Sequence, residues 1–395
     1  MIGAFEAFGL ELEYMIVRGD TLDVLPVAER ALEARPAEWW SNELVAHVVE
    51  LKNPRPTADL ESLARVFHHE VGAMNEALAP LDACLMPGAM HPWMDPRGET
   101  RLWPQDEQGI YRTYDRIFGC RAHGWANLQS MHINLPFGSD EEFARLHGAV
   151  RLALPILPAI AASSPFRDGF APGALDCRLE AYRDNASAVP AMNGELVPEP
   201  VATPAQYEER ILAPLYRALA PLDPDGVLRH EWANARGAIP RFDRNAIEIR
   251  IVDVQECPAA DVALAAAVVD LVWLLYRDAP ADDIPTGELA AILSACVADG
   301  DGARIDSPRY LCALAGGGPC TALELWRRLA RRMHDAPHRR LWEPMLDFIL
   351  ARGPLARRLL AAAGAAPTQE DLRRIYRRLC ECLATNQRFD PSTSS

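Results

Sequence analysis

The sequence predicts an α+β protein on three observations: short strand-like runs alternate with helices in its first half, no strand pattern is convincing beyond Pro258, and helical spacing is sustained from there onward. Strands early and helices late differ from a parallel α/β chain, in which the two alternate throughout. The expected organisation is a catalytic core over residues 1–258 with a helical part over 259–390 packed on it, the two forming one continuous domain. With 395 residues, 49% hydrophobic and 24% charged, the chain has the composition of an ordinary globular protein able to bury a core.

The elements follow in order. Phe5 to Val17 reads as an apolar strand with Glu11 and Glu13 on one face, because side chains two apart on a strand point the same way. Glu43 to Leu51 reads as a second strand, stopped by Asn53-Pro54-Arg55-Pro56, and Ala58 to Leu81 has the three-and-four spacing of an amphipathic helix. Met86 to Gly124 mixes Pro, Gly, Trp and charged residues without periodicity, as a long functional loop or lid would. Leu128 to Leu135 resumes a strand, Glu141 to Ala162 is helical up to Ser163-Ser164-Pro165, and the irregular Pro165 to Pro204 is expected to cover a site. Leu228 to Trp232 and Ala246 to Val254 complete the strands, and helices follow at about 259–277, 286–298, 321–334, 340–352, 354–364 and 368–385. Val262 to Tyr276, the most apolar run, is broken by Asp270 and reads as a buried helix too short to span a bilayer.

Composition narrows the function classes. A net charge of −15 argues against a nucleic-acid binder, which presents a basic face to phosphates. It leaves room for a single nucleotide held by a few cations and by metal ions on clustered carboxylates. Nine cysteines without a C-x-x-C pair indicate reduced thiols rather than a disulfide framework or a zinc site, which fits the cytoplasm. Met1 to Leu12 has no basic stretch before an apolar one, so no signal peptide is expected, and no membrane partner. Lys52 is the one lysine beside 39 arginines. Coding bias explains the arginines; a compact ammonium at a phosphate site, or chance, explains the exception.

Several strand faces carry chemistry. Glu11 and Glu13 interrupt an apolar strand, where an unpaired buried carboxylate is costly; a solvent-facing edge is the plainer alternative. Ile247-Glu248-Ile249-Arg250 alternates in the same way. Glu248 and Arg250 share a face and either pair with each other or offer a metal ligand beside a guanidinium suited to a phosphoryl group. Ser130, His132 and Asn134 line one face of a third strand: the imidazole is a metal donor, and Ser130 and Asn134 are candidates for substrate contact. Glu43 and Glu50 lie seven apart, on opposite faces of a regular strand, so joint ligation requires a bend or bulge. No P-loop or Rossmann glycine pattern occurs, so nucleotide phosphates would be held by metal ions and by cations: Lys52 and the group Arg236, Arg241, Arg244 and Arg250.

Taken in order, Gly9-Leu10-Glu11-Leu12-Glu13-Tyr14, Met131-His132-Ile133-Asn134, Ser163-Ser164-Pro165-Phe166 and Ile247-Glu248-Ile249-Arg250 resemble the family 2 glutamate-cysteine ligases and related carboxylate-amine ligases. The likeness covers most of residues 5–385. It implies a glutamine-synthetase-like fold, a curved and mainly antiparallel sheet with flanking helices whose concave face binds ATP and two or more Mg2+ ions, with Mn2+ as an alternative. It also implies roles: Glu11, His132 and Glu248 would hold the ion contacting the transferring phosphate, and Glu13, Glu43 and Glu50 the other. Glu248 and Arg250 would be catalytic, Arg250 stabilising charge on the phosphoryl group, with Asn134 facing substrate. The expected reaction joins an amino-acid-like carboxylate and an amine through an acyl phosphate. Asn134 and Pro136 stand where the closest bacterial ligases favour a histidine and a glycine, which puts the substrates in question. A metal-dependent hydrolase and a catalytically silent nucleotide-binding homologue are the competing readings. The sequence leaves homo-oligomerisation open.

Overall fold

The computed structural model describes residues 2–35, 38–106, 108–278 and 283–392. Its main sheet has seven strands: β1 (Gly9–Arg18), β2 (Trp40–Asn42), β3 (Val48–Lys52), β4 (Ala83–Met86), β5 (Ser130–Pro136), β6 (Ala238–Arg241) and β7 (Ala246–Asp253). Their order is β2-β3-β1-β5-β7-β6, with β4 also on β1, and every pairing is antiparallel. β1 is the spine. One edge pairs with β3 over Glu11 to Met15; the other takes β5 along Gly9 to Leu12 and then β4 along Met15 to Arg18.

Alternation along β1 builds both faces. Leu10, Leu12, Tyr14 and Ile16 enter the large core with Met131 and Ile133 of β5 and Ile247 and Ile249 of β7. On the opposite face Glu11 and Glu13 come first; Met15 and Val17 follow and pack with Leu372, Tyr376 and Leu379 of the helix Gln369–Thr385. One face of a single strand is therefore a polar site at one end and a dry contact at the other. The large core takes in residues from both sides of Pro258, from Phe8 to Leu383.

The helix Pro258–Asp278 has 21 residues, long and apolar enough to cross a membrane by length and composition, which corrects the shorter span expected. Burial decides its role: its most apolar window is 83% buried inside the fold. The expected helix over 141–162 is divided by Pro155 and Pro158, which cannot donate to the helical ladder, into Asp140–Ala153, Leu154–Ile156 and Pro158–Ala161. Other expectations fail for tertiary reasons. Glu43 to Leu51 is a reversal: β2 ends at Asn42, the chain turns, and β3 returns with Asn42 opposite Val49. Leu228 to Trp232 is turn and 3-10 helix (Glu231–Ala233), and the strand on that side is β6 instead. Beyond Pro258 the six expected helices are joined by a seventh, Pro308–Leu314, and by a two-stranded ladder of β8 (Arg304–Ile305) and β9 (Cys320–Thr321).

Candidate active site

Strand register gathers the site. Glu11 stands opposite Lys52 on one side and His132 on the other, and Glu13 stands opposite Glu50. The turn after β2 brings in Glu43, so that carboxylate oxygens of Glu13, Glu43 and Glu50 lie within 4.8 Å of one another. Glu11, Glu50 and His132 form a second group by the same measure, with Glu50 common to both. Of the bend or bulge expected, the structure has a bend, a full chain reversal that reconciles the seven-residue step between Glu43 and Glu50.

A bulge does occur at His132, where two residues of β7, Arg250 and Ile251, oppose it alone. Bulges re-aim side chains, and beside this one Arg250 lies against Glu248 at 2.9 Å. Arg241 reaches Glu248 from β6 at 3.2 Å. Glu248, expected beside Glu11 and His132 on an ion, is clasped by two guanidiniums, the internal ion pair that its spacing from Arg250 allowed.

Short hydrogen bonds fix the remaining groups. The Ser130 backbone N–H donates to Glu13 at 2.7 Å, and the Ser130 hydroxyl meets His132 Nε2 at 2.9 Å. His132 Nδ1 lies 3.2 Å from Glu11, and the Asn134 amide donates to the other Glu11 oxygen at 3.2 Å. Asn134 Oδ1 is buried without a protein partner. Lys52 Nζ donates to Glu50 and Ser41 at 2.8 and 2.7 Å.

The electrostatics are those of a crowded anionic basin. Burial, then the Glu50 and Glu13 charges, raise the Glu43 carboxyl well above its usual range, and burial with Glu11 raises Glu50 despite Lys52. Burial also opposes the charge of Glu11, but His132 and Lys52 hold it below the usual carboxylate range. His132 is raised because Glu11 and Glu13 outweigh the burial of its ring. Burial likewise disfavours the Arg250 charge, and Glu248 more than compensates.

Two cavities meet at this basin. One, of about 450 Å³, is lined by the carboxylates and by Tyr111, Tyr114, Trp125, Tyr182 and Trp232. The other, of about 650 Å³, lies beyond Glu11 and Lys52 against Pro54, Pro56, Asn134 and Asn245. Glu11, Lys52 and Arg244 line both. Arg241 and Arg250 line the first cavity, and Ser130 lies at its floor. Arg236 does not reach either. Its guanidinium is committed to both oxygens of Glu199 at 2.7 Å and to the Ala191 carbonyl, so the expected cofactor contact at Arg236 is corrected to a structural ion pair.

Sequence reasoning missed the aromatic wall and Arg178. Tyr111, Tyr114, Arg178 and Tyr182 come from the segments 86–124 and 165–204, where no periodicity marks which side chain turns inward, and the helices Ile110–Phe118 and Cys177–Arg183 present them; Trp125 and Trp232 come from the short helical turns His123–Ala126 and Glu231–Ala233.

An open antiparallel sheet, with carboxylates, a histidine and guanidiniums gathered on one face beside two cavities, defines an α+β class of protein. Within that class the chain belongs to the glutamate-cysteine ligase family 2, whose sequence model matches residues 7–378. A protein of Archaeoglobus fulgidus is 36% identical over 241 residues, 61% of this chain and 64% of its own length. A Corynebacterium glutamicum protein named "Putative glutamate--cysteine ligase 2" is 25% identical over 62% of this chain and 61% of its own length. The matched regions thus span under two thirds of these relatives. Among solved structures, a glutamate–cysteine ligase of Francisella tularensis in complex with AMP superposes with a TM-score of 0.70 over 96% of this chain and 89% of that one, at 10% identity, a likeness of fold.

Proposed function

We propose that the protein is an ATP-dependent carboxylate–amine ligase. The γ-phosphoryl group of ATP passes to a substrate carboxylate, and an amine then displaces phosphate from the acyl phosphate, yielding an amide, ADP and phosphate. The observation that carries this reading is the pair of donor groups that share Glu50, lining a cavity that meets a second one at Glu11 and Lys52. The family membership and the AMP complex of the Francisella relative support it.

The donor set suits magnesium, or manganese in its place. It offers three convergent carboxylates in one group and two with an imidazole in the other, and buried like charges that a divalent ion would neutralise. Glu13, Glu43 and Glu50 would hold one ion, and Glu11, Glu50 and His132 the other. When bound, such ions neutralise charge on the phosphoryl group and orient it.

The chain supplies the rest. Arg250 is a fixed cation, held by Glu248, that faces negative charge developing on the transferring group without reorganising. Lys52 and Arg244 border both cavities and can steady phosphate oxygens passing from one to the other. Ser130 holds Glu13 and His132 in place, and Asn134 holds Glu11. The apolar side of the larger cavity, Ile2, Pro54 and Pro56, suits a nucleobase, which leaves the aromatic chamber to the molecules being joined. Nine free cysteines support a reducing compartment such as the cytoplasm.

The test is ADP release by purified protein across paired acids and amines with Mg2+. ADP and phosphate should appear only when both partners are present. Product formation from one substrate without ATP would establish a metal-dependent hydrolase and overturn the reading.

A further inference from the structure

Past the carboxylates, the chamber is walled by side chains without net charge, chiefly Tyr114, Trp125, Tyr182, Met192 and Trp232. Tyr114 is the hub, its ring 5.1 Å from that of Trp125 and 6.3 Å from that of Trp232. One buried cation is set into this wall. Arg178 is 2% exposed, and its Nε donates to Asp253 at 2.5 Å. Its Nη2 is buried with no protein partner.

The residues behind Arg178 hold it in that pose. The other Asp253 oxygen accepts the Ser163 N–H at 2.8 Å and the Ser164 hydroxyl at 3.0 Å. The Ser164 hydroxyl in turn accepts the Arg178 backbone N–H at 3.1 Å. The Ser163-Ser164 pair, singled out in the sequence but given no part in the carboxylate basin, thus forms the base of a clamp on one guanidinium. A buried N–H left without an acceptor costs on the order of 1–3 kcal/mol, more on a charged group. Arg178 Nη1 reaches the Arg250 carbonyl at 3.5 Å, so a guanidinium held by two of its nitrogens keeps one, Nη2, for a carboxylate oxygen.

We propose that Arg178 anchors the α-carboxylate of an amino-acid substrate whose uncharged, largely apolar side chain lies against Tyr114, Trp125 and Trp232. The inference rests on the ligase reading and names one of its substrates. Arg178 lies on the Glu13 side of the chamber, close enough for the Glu13 charge to support its own. A carboxylate anchored there keeps the amino acid in the cavity that the carboxylate basin also lines, as the nucleophilic partner in ligation requires. Asp253, Ser163 and Ser164 are positioning residues. The aromatic wall offers no acid to a basic side chain, and Arg250, another cation lining the cavity, is already paired with Glu248.

The experiment measures binding to the protein with Mg2+ and a non-hydrolysable ATP analogue, read by the change in tryptophan fluorescence, Trp125 and Trp232 being the two of nine tryptophans that line the chamber. L-leucine, L-phenylalanine, L-methionine and L-cysteine are compared with their carboxamides and with L-lysine and L-aspartate. At least one apolar amino acid should bind about tenfold or more tighter than its carboxamide and than the two charged amino acids, the margin of one charge-assisted hydrogen bond. Arg178→Met should collapse the acid-over-amide margin to within about twofold while nucleotide binding persists. Should that variant not fold, Arg178→Lys, which keeps the charge and loses the fork, should cut the margin about fivefold. Equal binding of acids and amides, no binding by any apolar amino acid, or a margin that survives either folded variant overturns the proposal. If the Mg2+–nucleotide complex binds while these fail, only the anchor falls; if no nucleotide binds and no pair releases ADP, the ligase reading itself falls.

Discussion

Replacing Glu43 by glutamine separates the cost of the anionic basin from its use. Glu43, Glu13 and Glu50 present oxygens within 4.8 Å of one another. At an effective dielectric constant of about 20, each ionised pair at that distance repels by about 3.5 kcal/mol. Burial and these neighbours already raise the Glu43 carboxyl well above its usual range, which in metal-free protein favours the protonated, glutamine-like form. The Glu43→Gln variant in EDTA should therefore melt within about 1 °C of the parent, a difference under about 1 kcal/mol. Magnesium changes the comparison. An ion at a hundred times its Kd stabilises the parent by about 2.7 kcal/mol. For a chain of 395 residues the unfolding entropy converts this to a rise of roughly 3 °C. The variant, with one anionic donor of three removed, should gain less than about 1 °C and lose at least about 100-fold in ADP release. The assay is a thermal melt in EDTA and across a magnesium titration. An undiminished magnesium shift in the variant, or a fall of many degrees in EDTA, would refute the assignment.

Other outcomes follow from the same geometry. Arg250→Met should lower ligase turnover by about 10²–10³ with a smaller change in nucleotide binding, since its charge acts on the transferring group; single-turnover ADP formation measures this. Glu13→Gln should abolish ligation in a folded protein, whereas Glu248→Gln, which strips two guanidiniums of their shared carboxylate, should also cost about 3 kcal/mol in a denaturant melt. Burial lowers His47 and His91 to about 4, with carbonyl bonds to Ala126 and Leu22 only partly opposing it. The unfolded chain thus takes up protons below about 6.5 that the native rings refuse, so stability is lost as pH falls from there toward 4, by up to about 3 kcal/mol per ring. His47→Gln should melt with a shallower decline between pH 7 and 5, and parallel profiles would exclude this cause. A Cβ at Gly9 would lie 3.1 Å from that of Asn134 across the β1–β5 ladder. Gly9→Val should cost about 1–3 kcal/mol in the same melts.

The strand motifs were legible because period-two alternation exposes an intruding carboxylate: Glu11, Glu13, His132, Asn134, Glu248 and Arg250 all occupy β1, β5 or β7, as their spacing indicated. The helices after Pro258 were legible for the matching reason at period 3.6. Partnership between strands was not. Nothing local distinguishes a continuous strand from the reversal that carries Glu43 beside Glu50, because pairing with β1 decides it. Arg236 and Arg241 look alike in sequence; one is taken by Glu199 in a loop that only the tertiary fold brings near, and the other faces the cavity. Arg178 gave no signal, since its importance lies in what its third nitrogen lacks.

Lys52 carries the chain's one ε-amine and sits on the border between the two cavities. An amine-directed dye would therefore have a single side-chain target, converting an unmodified preparation into a reporter of occupancy in one step. Glu50, then Glu11 and Glu43, keep that amine protonated against the effect of its burial, so coupling should be slow at neutral pH. The same protonation would shield it from acylation by an activated acid formed nearby.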